Sequence, residues 1–508
     1  MSQGRKDVGT PALFYFSANV YGHIPKNHFY EQLARLLDLG FVRELTRPLY
    51  AERIGRPSLD PVVFFKCMLV AFFENITSDL ELEFRLADSL VLRRFIGYGL
   101  DQATPDESTL RKTRQKMPDE VFQAVFRYVL GLCDANGMLK GRVLGTDATL
   151  VDANAAMDSL VHKELGCSYE EFILAMRRQD KPDATKGEAK AADREREGKA
   201  SNAIWESPTD PDARIGKHAD KHTHLSYAVY TTADLETGVV VACGADLATV
   251  SDQQACLGRV DEAVAAVEEF GKQPQVVVAD KGHHSAENLI GIAERGLVPL
   301  VSSPQMQRGP EGFRREDFSY DEQKDQWRCP AGAVLGRVER RNETAQVYRA
   351  KASVCRACPH FGKCTQSKSG RQLSVSVHEG LFRANRERVH SEAARPLMQI
   401  RRQRGEAPFN YFKHHGGLKR VTGHGLGCAD KKAKIAGMGW NLLLLIKRLQ
   451  REAKERAEGA VPTAIWALLG LAAALSGLFG GLWATFSPSA GQWAGCGRSR
   501  HALPAHCR

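Results

Sequence analysis

Residues 274–285 read PQVVVADKGHHS, and the fold turns on how that stretch is taken. Val276, Val277, Val278 and Ala279 run on without alternation and stop at Asp280, before Lys281 and Gly282. A short, wholly apolar run is covered on both faces, which is the pattern of a parallel strand inside an α/β sheet. Ligands gather at the ends of such strands, so Asp280 stands where chemistry is done. Asp before Lys-Gly is also ordinary turn chemistry, and this stretch alone leaves both readings open.

Working outward, RVLGTDATLVDA (142–153) reads as a second strand. HLSYAVYTTA (224–233) and TGVVVACGA (237–245) flank a turn at Asp234 to Gly238 and read as a hairpin. Ahead of these, from about Pro25 to Leu132, apolar residues recur at three and four in HFYEQLARLLDL and DPVVFFKCMLVAFFENI. Asp60 followed by Pro61 is an N-cap with a first-turn proline, and Pro105 to Thr109 is a second helix start ahead of LRKTRQKM. Helical periodicity returns from Leu381 to about Glu458. The sum is an α/β chain: an all-helical front, a mixed sheet with flanking helices, and an insertion that interrupts it.

The domain boundaries follow. Residues 1–135 are expected to form a helical N-terminal domain, 141–300 the first part of the α/β core, 305–378 a cysteine-bearing insertion and 381–455 the second part of the core. Residues 456–508 form an apolar tail of unassigned role. Within the core, 176–207 is dense in charge and nearly free of large apolar groups, so it reads as a mobile loop. No internal repeat is visible.

Composition narrows the function classes. The chain has 508 residues, with 70 Lys plus Arg against 60 Asp plus Glu, a formal +10 that suits a polyanionic partner such as nucleic acid. Twelve scattered cysteines and an opening MSQGRKDVGT without an apolar core read as a reducing, cytoplasmic protein lacking a disulfide framework. Against this stands the uncharged run 464–486, AIWALLGLAAALSGLFGGLWATF, which has the length of a membrane span. It reads equally as a packed helix or as an extension past the functional end; its glycines and the basic body around it disfavour the membrane.

The chemistry-bearing carboxylates are few. Mg²⁺ takes hard oxygen ligands, so a phosphoryl-transfer site needs two or three carboxylates that the fold brings together. Asp147 sits in GTDAT among small residues that admit a metal and a phosphate. Asp152 competes with it: along a strand Asp147, Thr149 and Val151 share one face and Asp152 takes the other. Glu406 lies in QIRRQRGEAPFNYFKHHGG, read as one helix with Arg402, Glu406, Phe409 and Lys413 on a single face and base all around. A surface ion-pair stripe would look the same.

Taken together these motifs resemble the bacterial insertion-sequence transposases of the DDE class, which join a helical N-terminal domain to a ribonuclease-H-like core. The likeness runs from about Ile24 to Leu449: GRPSLDPVVFFK and TPDESTLRKTR in front, GTDATLVDANA, SPTDPDAR at 207–214, VVADKGHHS, and Arg402, Glu406 and Lys413 in an Arg-x3-Glu-x6-Lys signature. It departs twice, with Gln399 and His283 where the family usually has Tyr.

The resemblance implies cleavage of DNA at the element's ends and attack of the freed 3′-hydroxyl on target DNA. Asp147, Asp280 and Glu406 would hold two Mg²⁺ or Mn²⁺ ions, Asp147 bridging them. Arg402, Lys413 and Lys281 would meet phosphates, while Arg111 and Arg114 on the basic helix would help to read terminal inverted repeats. A homodimer is implied because two ends are joined together. A nuclease on the same fold and a catalytically dead DNA-binding relic remain the rival functions.

Cys329, Cys355, Cys358 and Cys364 give C-x25-C-x2-C-x5-C in the insertion, read either as structural Zn²⁺ or as reduced, partly buried thiols, with His360 able to replace one sulfur.

Overall fold

The computed structural model describes residues 20–51, 58–196, 199, 201–218, 222–303, 313–338 and 345–480, with side chains as far as Arg456. The front is helical: α1 Phe29–Leu36, α2 Phe41–Thr46, α3 Pro61–Phe73, α4 Asp79–Asp88, α5 Leu90–Ile96, α6 Glu107–Lys116 and α7 Asp119–Ala135. α3 starts where its sequence says. The Asp60 carboxylate accepts from the Val62 amide at 2.9 Å, Pro61 needs no partner for its nitrogen, and Arg43 closes on the same carboxylate at 2.7 Å. Apolar nearly all round, α3 is the central helix. Phe64 and Phe65 meet Phe122 of α7 edge-on, and Phe72 meets Phe412. The front helices therefore share one continuous core with the sheet and the helices that follow it.

The sheet is built from β1 Val143–Asp152, β4 Arg214–Lys217, β5 Thr223–Asp234, β6 Val240–Leu247, β7 Val276–Ala279 and β8 Val298–Val301; β2 Val161–His162 and β3 Trp205–Glu206 form a small ribbon of their own. β4 and β6 share one edge of β5, and the order then runs β5, β1, β7, β8. β5 pairs antiparallel with β1, while β1, β7 and β8 run parallel. α10 Asp252–Glu268 and α11 Ala286–Glu294 supply the crossovers. The antiparallel hairpin beside three parallel strands is the ribonuclease-H-like mixed sheet that the resemblance implied.

Two expectations about the chain between these parts are corrected. Residues 176–207 are not a bare loop: they hold the end of α8 Tyr169–Asp180, all of α9 Lys186–Ala192, and β3. Their charges pair locally. Thr185 and Glu188 form a capping box on α9, Lys186 and Lys190 both reach Glu170, and Trp205 is buried beside Tyr169 and Phe172. Nor do residues 402–413 make one helix. After α13 Glu379–His390 and α14 Ala394–Ile400 the chain makes a π-helical turn over Arg401–Gly405, then restarts as α15 Ala407–His415. Pro408 is the reason, because it cannot donate to the preceding turn and an unbroken α-helix cannot run through it.

The insertion is a five-stranded antiparallel sheet made of β9 Ser319–Asp321, β10 Gln326–Arg328, β11 Val334–Arg337, β12 Ala345–Ala350 and β13 Gln372–Ser376, with α12 Ala352–Arg356 between the last two. Phe318, Trp327, Leu335, Tyr348, Leu373 and Val375 give it a core of its own. The last helix, α16, spans Leu426–Gly480. The chain divides into a compact unit up to Ile446 and a second from Lys447, in which Glu452 pairs with Arg448 and Arg456 one turn away on either side. Among the described residues no helix is long and apolar enough to cross a membrane. The apolar run 464–486 falls where side chains, and beyond Gly480 the backbone, lie outside the described residues.

Candidate active site

Asp147 and Asp280 are brought together by strand register. β1 and β7 run parallel with Thr146 opposite Ala279, so the next residue on each is an aspartate and the two leave adjacent strands side by side. β7 ends there while β1 continues, which opens the crevice at the strand ends where α/β sheets bind ligands. The face rule also settles the competitor. Thr149, two residues on from Asp147, accepts from Lys413 Nζ at 2.6 Å, whereas Asp152 faces His218 and His224 at 3.7 and 4.0 Å.

The two aspartates differ in environment. Burial pushes the Asp147 carboxyl up to about 6, with Arg401 opposing and Asp280 adding to the rise. Asp280 is held below the usual carboxylate range, first by the imidazole of His283. That fully buried ring presents Nδ1 to Asp280 Oδ1 at 2.8 Å, and the Gly282 amide donates to the same oxygen at 2.8 Å. Oδ1 is therefore occupied, and among the described residues no hydrogen bond reaches Oδ2.

Asp252, the first residue of α10, completes the set: the ligand atoms of Asp252, Asp280 and His283 lie within 4.8 Å of one another. Gly282 makes this approach possible, since a Cβ there would stand 3.0 Å from Asp280 Oδ1 and 3.1 Å from Asp252 Oδ2. Arg259, itself buried, neutralises Asp252 from behind at 3.0 Å. Nothing in the sequence marked Asp252 apart from a helix-start acid.

Glu406 caps α15 and keeps an exposed side chain. The cation that reaches it is Arg401, not Arg402: Arg401 stands 3.4 Å from Asp147 Oδ2 and 3.7 Å from Glu406 Oε1, with a side chain 11% exposed, while Arg402 points to solvent. The π-turn explains the shift. Its hydrogen bonds run i to i+5, so the residue stacked on Glu406 is five back and not four. Lys413 is half-buried, and burial pulls its ammonium below the usual lysine value.

The front helices give a split result. Arg111 is exposed, with a loose 3.8 Å pairing to Glu107. Arg114 turns inward, where Asp79 accepts both its terminal nitrogens at 2.6 and 2.9 Å and Met68 packs beside it. Arg114→Ala is expected to cost about 3 kcal/mol of stability by stranding Asp79, measured by denaturant unfolding. Arg111→Ala is expected to leave the unfolding midpoint alone; equal destabilisation by both would contradict the inward placement. Lys281 is exposed beside Asp280. In the SPTDPDAR motif, Asp210 and Asp212 serve the fold: Asp210 accepts from the Tyr227 hydroxyl at 2.5 Å and the Gly425 amide at 3.0 Å, and Asp212 from the Leu426 amide at 3.0 Å where α16 begins.

Two protein families match this sequence. Residues 18–116 match the family described as Transposase domain (DUF772), and residues 328–446 the family described as Transposase DDE domain. No curated protein matches. Among solved structures, a cryo-EM structure of piggyBac transposase in a synaptic complex with hairpin DNA aligns over 84% of this chain and 80% of that one, at 11% identity and a TM-score of 0.23. One transposase family is thus matched in the front helices, and a second, described as a Transposase DDE domain, across the insertion and the Glu406 helix.

Proposed function

We propose that this protein is a transposase of the DDE type that cuts DNA at the ends of its element and joins the freed 3′-hydroxyls to target DNA, using Asp147, Asp280 and Glu406 with divalent cations. The observation that carries the reading is the register of β1 and β7, which sets Asp147 and Asp280 side by side, with Arg401 linking Asp147 to Glu406. The donor set fits Mg²⁺ or Mn²⁺. It is hard oxygen throughout, Asp280 keeps one oxygen without a protein donor among the described residues, and burial raises the Asp147 carboxyl against the pull of Arg401, a cost that a bound cation would offset.

Such cations, when bound, lower the pKa of an attacking water and offset charge gathering on the phosphate. The chain's own residues hold the geometry. His283 and the Gly282 amide fix Asp280, Lys413 braces Thr149 beside Asp147, and Lys281, Arg402, Lys419 and Arg420 offer exposed charge to the DNA backbone. In the first step water oxygen bonds to phosphorus and the 3′-oxygen leaves as a hydroxyl. In the second that hydroxyl bonds to a target phosphorus and displaces a target 3′-oxygen. The front helices would read the terminal repeats, and two copies would act together on cytoplasmic DNA.

His283→Ala is expected to weaken divalent-cation binding about 10–100-fold, as loss of an orienting neighbour does, with His283→Asn recovering part of it. Mn²⁺ calorimetry on the DNA-free protein reads this directly, and unchanged affinity would remove His283 from the site. The function itself is tested by incubating the protein, Mg²⁺, DNA carrying the element's ends and a target plasmid. Joined product is expected. Cut ends without joining would mean a nuclease, and binding without cutting a relic.

A further inference from the structure

The four cysteines of the insertion take no part in the chemistry above, yet the fold collects them. Cys329 follows β10, Cys355 lies on α12, and Cys358 and Cys364 lie in the segment between α12 and β13. All four line one cavity of about 150 Å³, together with His360 and Arg371. All four are free thiols, and Cys355 is buried. Two of the sulfurs already accept backbone amides, Cys329 from Ala333 and Cys355 from Arg371, each at 3.3 Å. Arg371 adds charge of its own, for its guanidinium donates to the carbonyls of Cys364 and Phe313, each at 3.1 Å. A cation there offsets the net negative charge of four thiolates around a divalent ion.

We propose that Cys329, Cys355, Cys358 and Cys364 bind one structural Zn²⁺ that staples the five-stranded insertion. No three of these sulfurs lie within 4.8 Å of one another; among the described residues the trio that does is Asp252, Asp280 and His283. Zinc–sulfur bonds of about 2.3 Å set sulfurs about 3.8 Å apart, so binding draws the thiols inward into space the cavity provides. His360 is engaged otherwise, its ring packed edge-on against Phe313 at 4.9 Å. The benefit is structural. The strands of this sheet are short, its core is small, and residues 351–371 carry only the five-residue α12, so a cross-link between β10 and that segment supplies what burial does not.

The test uses the full chain purified without chelator from zinc-supplemented cells. Elemental analysis is expected to find about one zinc per chain, falling below about one-tenth in Cys358→Ser and Cys364→Ser and unchanged in His360→Ala. Should the serine variants fail to fold, cobalt substitution of the wild type decides the matter: the spectrum of a tetrahedral four-thiolate site is expected. Zinc-free protein with freely reactive thiols would overturn the proposal, as would zinc retained in the folded serine variants. A cobalt spectrum showing a nitrogen ligand would overturn the four-sulfur assignment.

Discussion

Asp147→Asn is expected to abolish joined product, by at least about 10³-fold, and at the same time to make the metal-free protein more stable at neutral pH. The activity loss follows from position, because Asp147 is the carboxylate that neighbours both Asp280 and, through Arg401, Glu406. Losing a ligand worth several kcal/mol to the transition state costs a factor of ten for each ~1.4 kcal/mol. The stability gain follows from burial. Asp147 has an ordinary carboxyl value of 3.8 and is pushed up to about 6 in the fold. A folded-state value above the unfolded one means that the stabilisation is full below pH 4 and is lost as pH rises through 6. Near pH 7 the buried charge costs about 3 kcal/mol, which asparagine does not incur. Thermal melts in a chelator should therefore place the variant above wild type at pH 7 and level with it near pH 4. Added Mg²⁺ should raise the wild type alone. A variant that melts lower than wild type at pH 7 without metal would show that the Asp147 charge is not a strained, ligand-seeking one.

The same site shows what a sequence can and cannot carry. The strands around Asp147 and Asp280 were legible because burial on both faces leaves a continuous apolar run, and alternation leaves only one of Asp147 and Asp152 facing any given side. Asp60 and Pro61 announced α3 for an equally local reason. The insertion's sheet was not legible, since strands of three to six residues such as β9 and β12 are too short for alternation to register. The charged stretch 176–207 misled because its composition is that of a linker, while its order comes from capping boxes and pairings such as Lys190 with Glu170. Asp252 enters the site only through the fold: its nearness to Asp280 depends on where α10 packs and on the missing side chain of Gly282. The inward turn of Arg114 was equally hidden, because a basic helix gives no sign of which cation has a buried acid waiting.

Arg401→Ala and Arg402→Ala should differ sharply, which tests the π-turn on which the Glu406 side of the site depends. If the chain ran as a regular α-helix, Arg402 would stack on Glu406 four residues later, and Arg401 would be one more surface cation. In the π-turn the spacing is five, and Arg401 is the guanidinium shared by Asp147 and Glu406. Arg401→Ala is thus expected to lower strand transfer by about 10²-fold, since two carboxylates lose the group that holds them in register. It should also lower the metal-free melting temperature, opposite in sign to Asp147→Asn, because it removes the compensating charge and leaves the buried one. Arg402, exposed, should behave as a backbone phosphate contact. Its loss should weaken end binding a few-fold, reduce the salt dependence by about one counterion, and leave turnover on saturating DNA nearly intact. Measuring end affinity and single-turnover joining for both variants separates the two cases. An Arg402 variant that joins slowly with unchanged affinity, beside a near-normal Arg401 variant, would mean that the active protein runs through 401–406 as an α-helix. Glu406 would then face the site by one residue's rotation from where it stands here, and the partnership with Asp147 would have to pass through Arg402.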